Sequence, residues 1–198
     1  MKKLGVFGLL LGVALGSGCV RIMVPILEDK DLIADSSLAG EWVQEGSAGE
    51  RLRIEPPDPE KCYLLVYTDD KSKAGKFIGR FGRLGDLTIA EIRPVDLPEE
   101  WSDSYKAHFA PLFSFFVVSS TKPALRFRGF DTDWLKKYVK EHPGELSVAP
   151  SDDSLITSAA GAIRAFVLEH WKDVGAMSDE AVFVRRALAD ATKRNETS

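Results

Sequence analysis

The sequence predicts an α+β domain in which a strongly curved antiparallel sheet or partial barrel of about seven strands is covered by two or three C-terminal helices. Two observations carry this prediction. Between residues 38 and 130, short apolar or alternating runs are separated by turn residues at fairly regular spacing. From residue 131 onward, the apolar residues recur with a helical period instead.

Seven runs are strand candidates. Leu52 and Ile54 alternate with arginines, and Leu125 and Phe127 do the same, which is typical of half-buried strands. The run around Cys62 is apolar on both faces and therefore indicates a central strand. The candidates are LAGEWVQE (38–45), RLRIE (51–55), KCYLLVYTD (61–69), KFIGRFGRLG (76–85), DLTIAEIRP (86–94), LFSFFVVSS (112–120) and ALRFRGF (124–130).

Two helices are predicted in the C-terminal third. Asp131 is positioned to cap the first, whose apolar stripe contains Trp134 and Tyr138, and the second spans the segment SAAGAIRAFVLEHW with Phe166 on its apolar face. The segment 178–191 is ambiguous between a helix and a strand around Phe183. We expect the helices to cover the sheet and share its core, giving one domain over residues 38–190 followed by a frayed tail at 191–198.

The N-terminus has the pattern of an export signal. Lys2 and Lys3 precede an uncharged, apolar or small run that ends at Gly18, which is short for a membrane span. The sequence LGSGC, ending at Cys19, resembles the lipobox of bacterial lipoproteins, although Gly16 stands where that family prefers leucine. An ordinary secretory signal and an uncleaved N-terminal membrane helix are the alternatives.

The lipobox resemblance implies a location and an anchor. Residues 1–18 would be a lipoprotein signal peptide, and Cys19 would carry the lipid, including palmitate, that holds the exported protein at a bacterial membrane, the outer membrane if the host has one. Several acyl chains hold a protein firmly, whereas one holds it weakly. Residues 19–37 are expected to form a membrane-proximal tether with a loosely packed beginning, because Pro25 and the charged residues 28–31 interrupt any period.

A second resemblance concerns the mature chain. Gly40-Glu41-Trp42 resembles the G-x-W start of lipocalins, and the order of segments is similar to that of a group of uncharacterised bacterial lipoproteins. The lipocalin likeness implies a β-barrel, and the lipoprotein group implies no known activity.

Charge and cysteine content limit the possible partners. The chain has 26 basic and 30 acidic residues, and its net charge of −4 opposes non-specific binding to nucleic acid. With Cys19 acylated, Cys62 has no partner in the chain, and its apolar surroundings favour a buried thiol over a nucleophile.

Local motifs for catalysis, metals and cofactors are missing. The three histidines lack metal-ligand spacing, and neither a G-x-S-x-G nor a phosphate-binding glycine pattern occurs, so no metal and no cofactor is expected. Asp103, Tyr105 and His108 are weak catalytic candidates at a strand mouth. Four arginines could form an anion site on an outer sheet face, but a solvated face is the simpler interpretation: Arg80, Arg83, Arg126 and Arg128.

These observations favour a lipid-anchored, non-catalytic binding or structural module whose partner is a small apolar ligand or an envelope protein. The alternative is a small envelope hydrolase with a site around His108. A deep apolar cavity would favour the first, and a cleft that gathers His108 with carboxylates would favour the second.

Overall fold

Eight antiparallel strands close into a β-barrel in the computed structural model, which describes residues 20–47, 49–95, 102, 112–119 and 124–186. Three further short strands and two α-helices lie outside the barrel. The elements are β1 (Arg21–Ile22), β2 (Gly40–Gln44), β3 (Arg51–Ile54), β4 (Cys62–Thr68), β5 (Ala74–Leu84), β6 (Leu87–Pro94), β7 (Phe113–Val118), β8 (Ala124–Arg128), α1 (Thr132–Glu141), β9 (Val148–Ala149), β10 (Asp152–Ile156), α2 (Ala160–His170) and β11 (Ala181–Arg185).

The seven predicted strands are confirmed as β2 to β8, but the barrel has an eighth strand. The ambiguous C-terminal segment forms β11, which lies between β2 and β8 and pairs antiparallel with both. Pairing of β6 with β7 completes the ring. The prediction of a curved sheet or partial barrel is therefore right in kind, and the strand count of about seven is too low.

The two ends of the barrel interior differ. At the end where β2 begins, the inward side chains of Trp42, Tyr63 and Phe81 are at most 2% exposed. The Arg185 guanidinium lies 4.4 Å from the centroid of the Trp42 ring, and its Nη1 donates a hydrogen bond to the Ala39 carbonyl. We call this the sealed end.

The opposite end, where β2 finishes, is less completely filled. Its inward hydrophobic residues Phe77, Ile92 and Phe127 are only partly buried. Two polar residues, Gln44 and Glu50, are nevertheless buried there beside Tyr67. We call this the glutamate end.

The helices cover the outside of the barrel, as the sequence predicts. Asp131 accepts a hydrogen bond from the Trp134 amide and so caps α1. Leu135 of α1 and Phe166 of α2 belong to one hydrophobic cluster with Ile89 on the outer face of β6. Helices and sheet therefore share a core. No helix in the described part of the chain is long and apolar enough to cross a membrane.

The beginning of the predicted tether is packed, which differs from the expectation of loose packing. Val20, Ile22, Ile26 and Leu27 are at most 4% exposed and belong to the cluster beneath the helices. β1 also pairs with β7 and β10. The apolar side chains of this N-terminal segment pack on the barrel, a contact that no local sequence pattern indicates.

A buried ion pair fastens this N-terminal segment to the barrel wall. Glu91 on β6 is 1% exposed, and its Oε1 accepts hydrogen bonds from Arg80 Nε and Nη2 at 3.1 and 2.5 Å. Its Oε2 accepts from the Ile26 and Leu27 amides at 2.6 and 3.3 Å. Each carboxylate oxygen is thus satisfied, which a buried charge requires.

Close approach to this segment also explains one of the strand glycines. A Cβ on Gly82 would lie 2.9 Å from the Asp31 carbonyl oxygen and from Leu27 Cδ2. The absence of a side chain lets the segment lie directly on β5.

Candidate functional site

The glutamate end is the candidate site because it holds buried polar groups. Glu50 continues the inward alternation of Leu52 and Ile54 from the residue just before β3, and its side chain is 5% exposed. Tyr67 is the cross-strand partner of Leu52 and also points inward. It is 8% exposed.

Glu50 Oε2 and Tyr67 Oη are shielded from solvent and make no hydrogen bond of ordinary geometry. The Tyr67 hydroxyl nevertheless lies close enough to the Glu50 carboxyl to lower its pKa. The two side chains therefore form a buried polar pair in an otherwise apolar part of the barrel.

The local turns hold Glu50 in place. Its backbone amide donates to Ser47 Oγ at 3.2 Å, and its carbonyl accepts from the Gln44 amide at 3.1 Å. The neighbouring Gly49 approaches the backbone of Asp70 so closely that a Cβ would lie 3.3 Å from the Asp70 Cα. The turn before β3 and the turn after β4 therefore pack together at the rim of the barrel.

The electrostatic surroundings of this end are acidic. Burial raises the pKa of the Glu50 carboxyl, the Tyr67 hydroxyl lowers it, and the negative charges of Asp70 and Asp69 raise it again, with a net upward shift. Burial likewise raises the pKa of Tyr67, and the Glu50 carboxylate raises it further. Both shifts favour the protonated forms relative to an exposed glutamate and an exposed tyrosine.

Sequence reasoning missed this pair for a definite reason. Glu50 follows the polar stretch GSAG and lies outside both predicted strands, although it keeps the spacing of Leu52 and Ile54. Tyr67 lies within a strand whose sequence is apolar on both faces, so its hydroxyl does not stand out. A buried acid in phase with inward leucine and isoleucine was the available signal.

The sequence-predicted site residues lie outside the described part of the chain. Cys19 precedes it, and Asp103, Tyr105 and His108 fall in the connection between Pro94 and Phe113, of which only Val95, Ser102 and Leu112 are described. The lipidation and catalytic hypotheses for these residues therefore stay predictions.

The other two histidines are accounted for by helix ends. His142 is the C-cap of α1, and its Nδ1 lies 3.0 Å from the Tyr138 carbonyl oxygen. His170 ends α2, with Nε2 3.0 Å from Tyr138 Oη and Nδ1 2.8 Å from Asp173 Oδ2. His170 is thus a hydrogen-bonded residue at the border of the core.

A polar chain joins these groups beneath the helices. Tyr138 Oη also donates to Glu145 Oε2. Burial raises the pKa of Tyr138, with Glu145 raising it further, so the phenol stays protonated. The chain is best explained as a tie between α1 and α2.

Tyr138→Phe should lower the free energy of unfolding by about 1 kcal/mol, because the half-buried His170 loses a partner, whereas the exposed Glu145 can bond to water instead. Urea denaturation measures the change. Lys137→Ala on the exposed face of the same helix is the control and should stay within about 0.5 kcal/mol of the parent protein. Equal effects of the two substitutions would show that the polar chain contributes nothing.

The four arginines do not form an anion site. Arg80 is committed to Glu91, Arg126 Nη1 bonds Glu180 Oε2 at 2.6 Å, and Arg128 Nε donates to the Ser178 carbonyl. Arg83, the fourth, is exposed to solvent. Likewise, no group of three potential metal ligands occurs among the residues that the structure describes.

Cys62 is only half-buried, less than the sequence indicates. It begins β4 on the outer face of the barrel, and burial raises the pKa of its thiol, with Asp58 raising it further. A thiol with a raised pKa is a poor nucleophile at neutral pH. The structural role expected for this residue therefore remains the better interpretation.

Glu50→Gln should stabilise the protein at neutral pH by about 1–3 kcal/mol, because it removes a buried carboxyl whose charged form is unfavourable there. A raised folded-state pKa means that the native protein binds more protons than the unfolded chain, so the parent protein loses stability as pH rises through that pKa. The difference between variant and parent should therefore shrink at acidic pH.

Chemical denaturation between acidic and neutral pH measures this effect. Glu45→Gln, an exposed glutamate near the same end, is the matched control and should leave the pH profile unchanged. A Glu50→Gln profile parallel to that of the parent would mean that Glu50 titrates as an exposed carboxyl does.

Comparison with known proteins adds nothing to the geometry of the site. No family model, no curated protein and no solved structure matches this chain.

Proposed function

We propose that this chain is a lipid-anchored cell-envelope protein that binds a small ligand inside its barrel and does not catalyse a reaction on it. The observation that carries the proposal is the buried polar pair, Glu50 and Tyr67, inside an otherwise apolar and incompletely filled end of the closed barrel. Natural proteins depart from an apolar core at sites of function.

The lining of the glutamate end supports a ligand with an apolar body. Phe77, Ile92 and Phe127 point inward and are only partly buried, whereas their counterparts at the sealed end are almost completely buried. Small-molecule sites are concave and mostly apolar, with a few placed polar groups that fix orientation. The glutamate end has such a mostly apolar lining, with Glu50 and Tyr67 as its placed polar groups.

Binding inside the barrel is tested with a pair of substitutions on β5. Gly75 lies opposite Tyr67 with its Cα facing the interior, and the adjacent Lys76 is exposed on the outside. Gly75→Leu should fill the site, while Lys76→Leu adds the same side chain to the outer surface.

The probe is N-phenyl-1-naphthylamine, a neutral dye that fluoresces in apolar surroundings, added to equal preparations of the full chain. We expect Gly75→Leu to lose most of the saturable fluorescence and Lys76→Leu to retain it. Equal signals from both variants would place the dye outside the barrel and contradict the proposal.

The anchor is tested separately. Lys2-Lys3, the apolar run and the small residues before Cys19 support lipidation at that cysteine. Metabolic labelling with a fatty-acid probe should mark the parent protein and not Cys19→Ala. Equal labelling of the two would overturn this part of the proposal.

A further inference from the structure

We infer that the outer face of the barrel wall formed by β3, β4 and β5 binds an acidic, partly apolar segment of a partner protein. This inference goes beyond the proposed barrel ligand, because it concerns the outward side chains of the wall and not its interior. It follows from an apolar centre on that face, from the cations that border it, and from its position opposite the strand that pairs with the N-terminal segment.

The outward side chains of β4 and β5 form the apolar centre. Leu64 and Val66 alternate with the inward Tyr63 and Leu65 on β4, and Ile78 on β5 is the cross-strand partner of Leu64. Leu64, Val66 and Ile78 are only partly buried, and they belong to neither of the hydrophobic clusters that the described residues form. We call these three residues the wall centre. Contiguous apolar patches rimmed by polar residues mark interaction sites on protein surfaces.

Cations border the wall centre on both sides. Arg51 and Arg53 point outward from β3, where Arg53 is the cross-strand partner of Val66. Lys76 is the other cross-strand partner of Val66, on β5, and Arg93 extends the border on β6. Arg51, Arg53 and Lys76 are exposed to solvent. A partner that covers the wall centre therefore meets cations at its edges.

The middle of this wall is positively charged, although the chain as a whole is acidic. The two acids beside the wall centre are each bound to an arginine, Glu41 to Arg186 at 2.7 Å and Glu55 to Arg53 at 3.2 Å. Arg186 first, and Arg53 and Arg51 in addition, hold the pKa of Glu41 below its usual range. Cations therefore outnumber acids around the wall centre, five to two.

The rims of the same wall are different. The turns at 45–49, 56–61 and 69–73 together hold five acids and three lysines, so they offset part of the positive charge in the middle. An acidic partner is therefore attracted to the middle of the wall and not to its edges.

An acidic segment with apolar side chains matches both features. Arginine and lysine bind carboxylates through charge-assisted hydrogen bonds, and complementary charge sets the register and the rate of association. The apolar side chains of the segment would cover the wall centre and remove it from water. Nucleic acid fits less well, because its phosphate backbone offers no apolar group and the chain carries a net charge of −4.

The position of the face favours a protein over a membrane. In the ring of eight strands, β3 lies opposite β7, and β7 is the barrel strand with which β1 pairs. A lipid anchor at Cys19, as proposed above, would hold the side of the barrel on which β1 lies. The wall centre then faces away from the anchored side.

Charged copolymers test the chemistry of the partner without knowledge of its sequence. The probe is a fluorescently labelled random copolymer of glutamate and leucine, compared with polyglutamate and with a copolymer of lysine and leucine. Fluorescence anisotropy with the full chain at low ionic strength should show saturable binding of the glutamate–leucine copolymer. Polyglutamate should bind at least about threefold more weakly, and the lysine copolymer should show no saturable binding.

Two substitutions of the same kind locate the binding. Lys76→Glu reverses a charge beside the wall centre, and Lys137→Glu reverses one on the exposed face of α1. Lys76→Glu should weaken binding of the glutamate–leucine copolymer at least about threefold, while Lys137→Glu should leave it unchanged. Both lysines are exposed, so circular dichroism should show the parent fold in both variants.

Val66→Thr tests the apolar part of the wall centre. It keeps a β-branched side chain and adds a hydroxyl, so the strand is retained while the patch becomes more polar. The preference for the glutamate–leucine copolymer over polyglutamate should fall. An unchanged preference would contradict the role of the wall centre.

Several other results would overturn the inference. They are the absence of copolymer binding, equal binding of the copolymer and polyglutamate, and equal weakening by Lys76→Glu and Lys137→Glu. Binding of the Cys19→Ala chain to phosphatidylglycerol vesicles that Lys76→Glu abolishes would assign the face to an anionic membrane instead. A dimer in analytical ultracentrifugation that Lys76→Glu dissociates would assign it to a second copy of the chain. The ligand inside the barrel is tested separately by the naphthylamine dye, so either proposal can fail without the other.

Discussion

Glu91→Ala is expected to lower the free energy of unfolding by about 3–5 kcal/mol, the range for removing one partner of a buried ion pair. The substitution leaves Arg80 without its carboxylate and the amides of Ile26 and Leu27 without their acceptor. Glu91 is 1% exposed, so water cannot replace it easily. Guanidinium denaturation of the full chain, followed by tryptophan fluorescence, measures the loss.

The matched control is an ion pair on the surface. Glu180→Ala breaks the bond from Arg126, whose side chain is 42% exposed, and should cost about 1 kcal/mol or less. Similar costs for the two variants would mean that the N-terminal segment is not fastened to the barrel through Glu91.

Phe183→Ala should cost about 3–5 kcal/mol, the range for deleting a large buried aromatic side chain. Phe183 is 2% exposed and belongs to the barrel interior through its contact with Phe127. It lies on β11, which joins β2 to β8, so the loss also weakens the closure of the barrel. Thermal and urea unfolding monitored by circular dichroism measure the change.

Val182→Ala, one residue earlier on the outer face, is the control for β11. This valine is only half-buried, and its truncation should cost about 1 kcal/mol or less. If Val182→Ala were the costlier variant, the strand would be turned the other way, and a helix at this place would be the better interpretation.

Strand positions were predictable because periodicity along the chain reflects the two faces of a sheet. Leu52 and Ile54 alternate with exposed arginines, and the structure buries both of them inside the barrel. Asp131 was predictable as a helix cap for a similarly local reason, since its carboxylate needs only the Trp134 amide three residues away.

Features that depend on distant partners were not predictable in the same way. The sequence around Phe183 is compatible with a strand or a helix. It forms a strand because the barrel closes only when a strand lies between β2 and β8. The segment from Val20 to Leu27 has no regular period, and its burial depends on Glu91, more than 60 residues away.

The candidate site combines a local feature, which the sequence shows, with a long-range contact, which it does not. The spacing of Glu50 with Leu52 was visible, but its partner Tyr67 comes near only through the pairing of β3 with β4. Neither residue belongs to a local motif, which is why the sequence pointed to His108 instead.

The most direct test of a ligand site in the barrel is the titration of the Glu50 side chain in the full chain, followed by nuclear magnetic resonance of its carboxyl carbon and assigned with Glu50→Gln. We predict a pKa above that of an exposed glutamate in the empty protein, because the carboxyl is buried. An ordinary pKa would contradict both the buried acid and the site proposed around it.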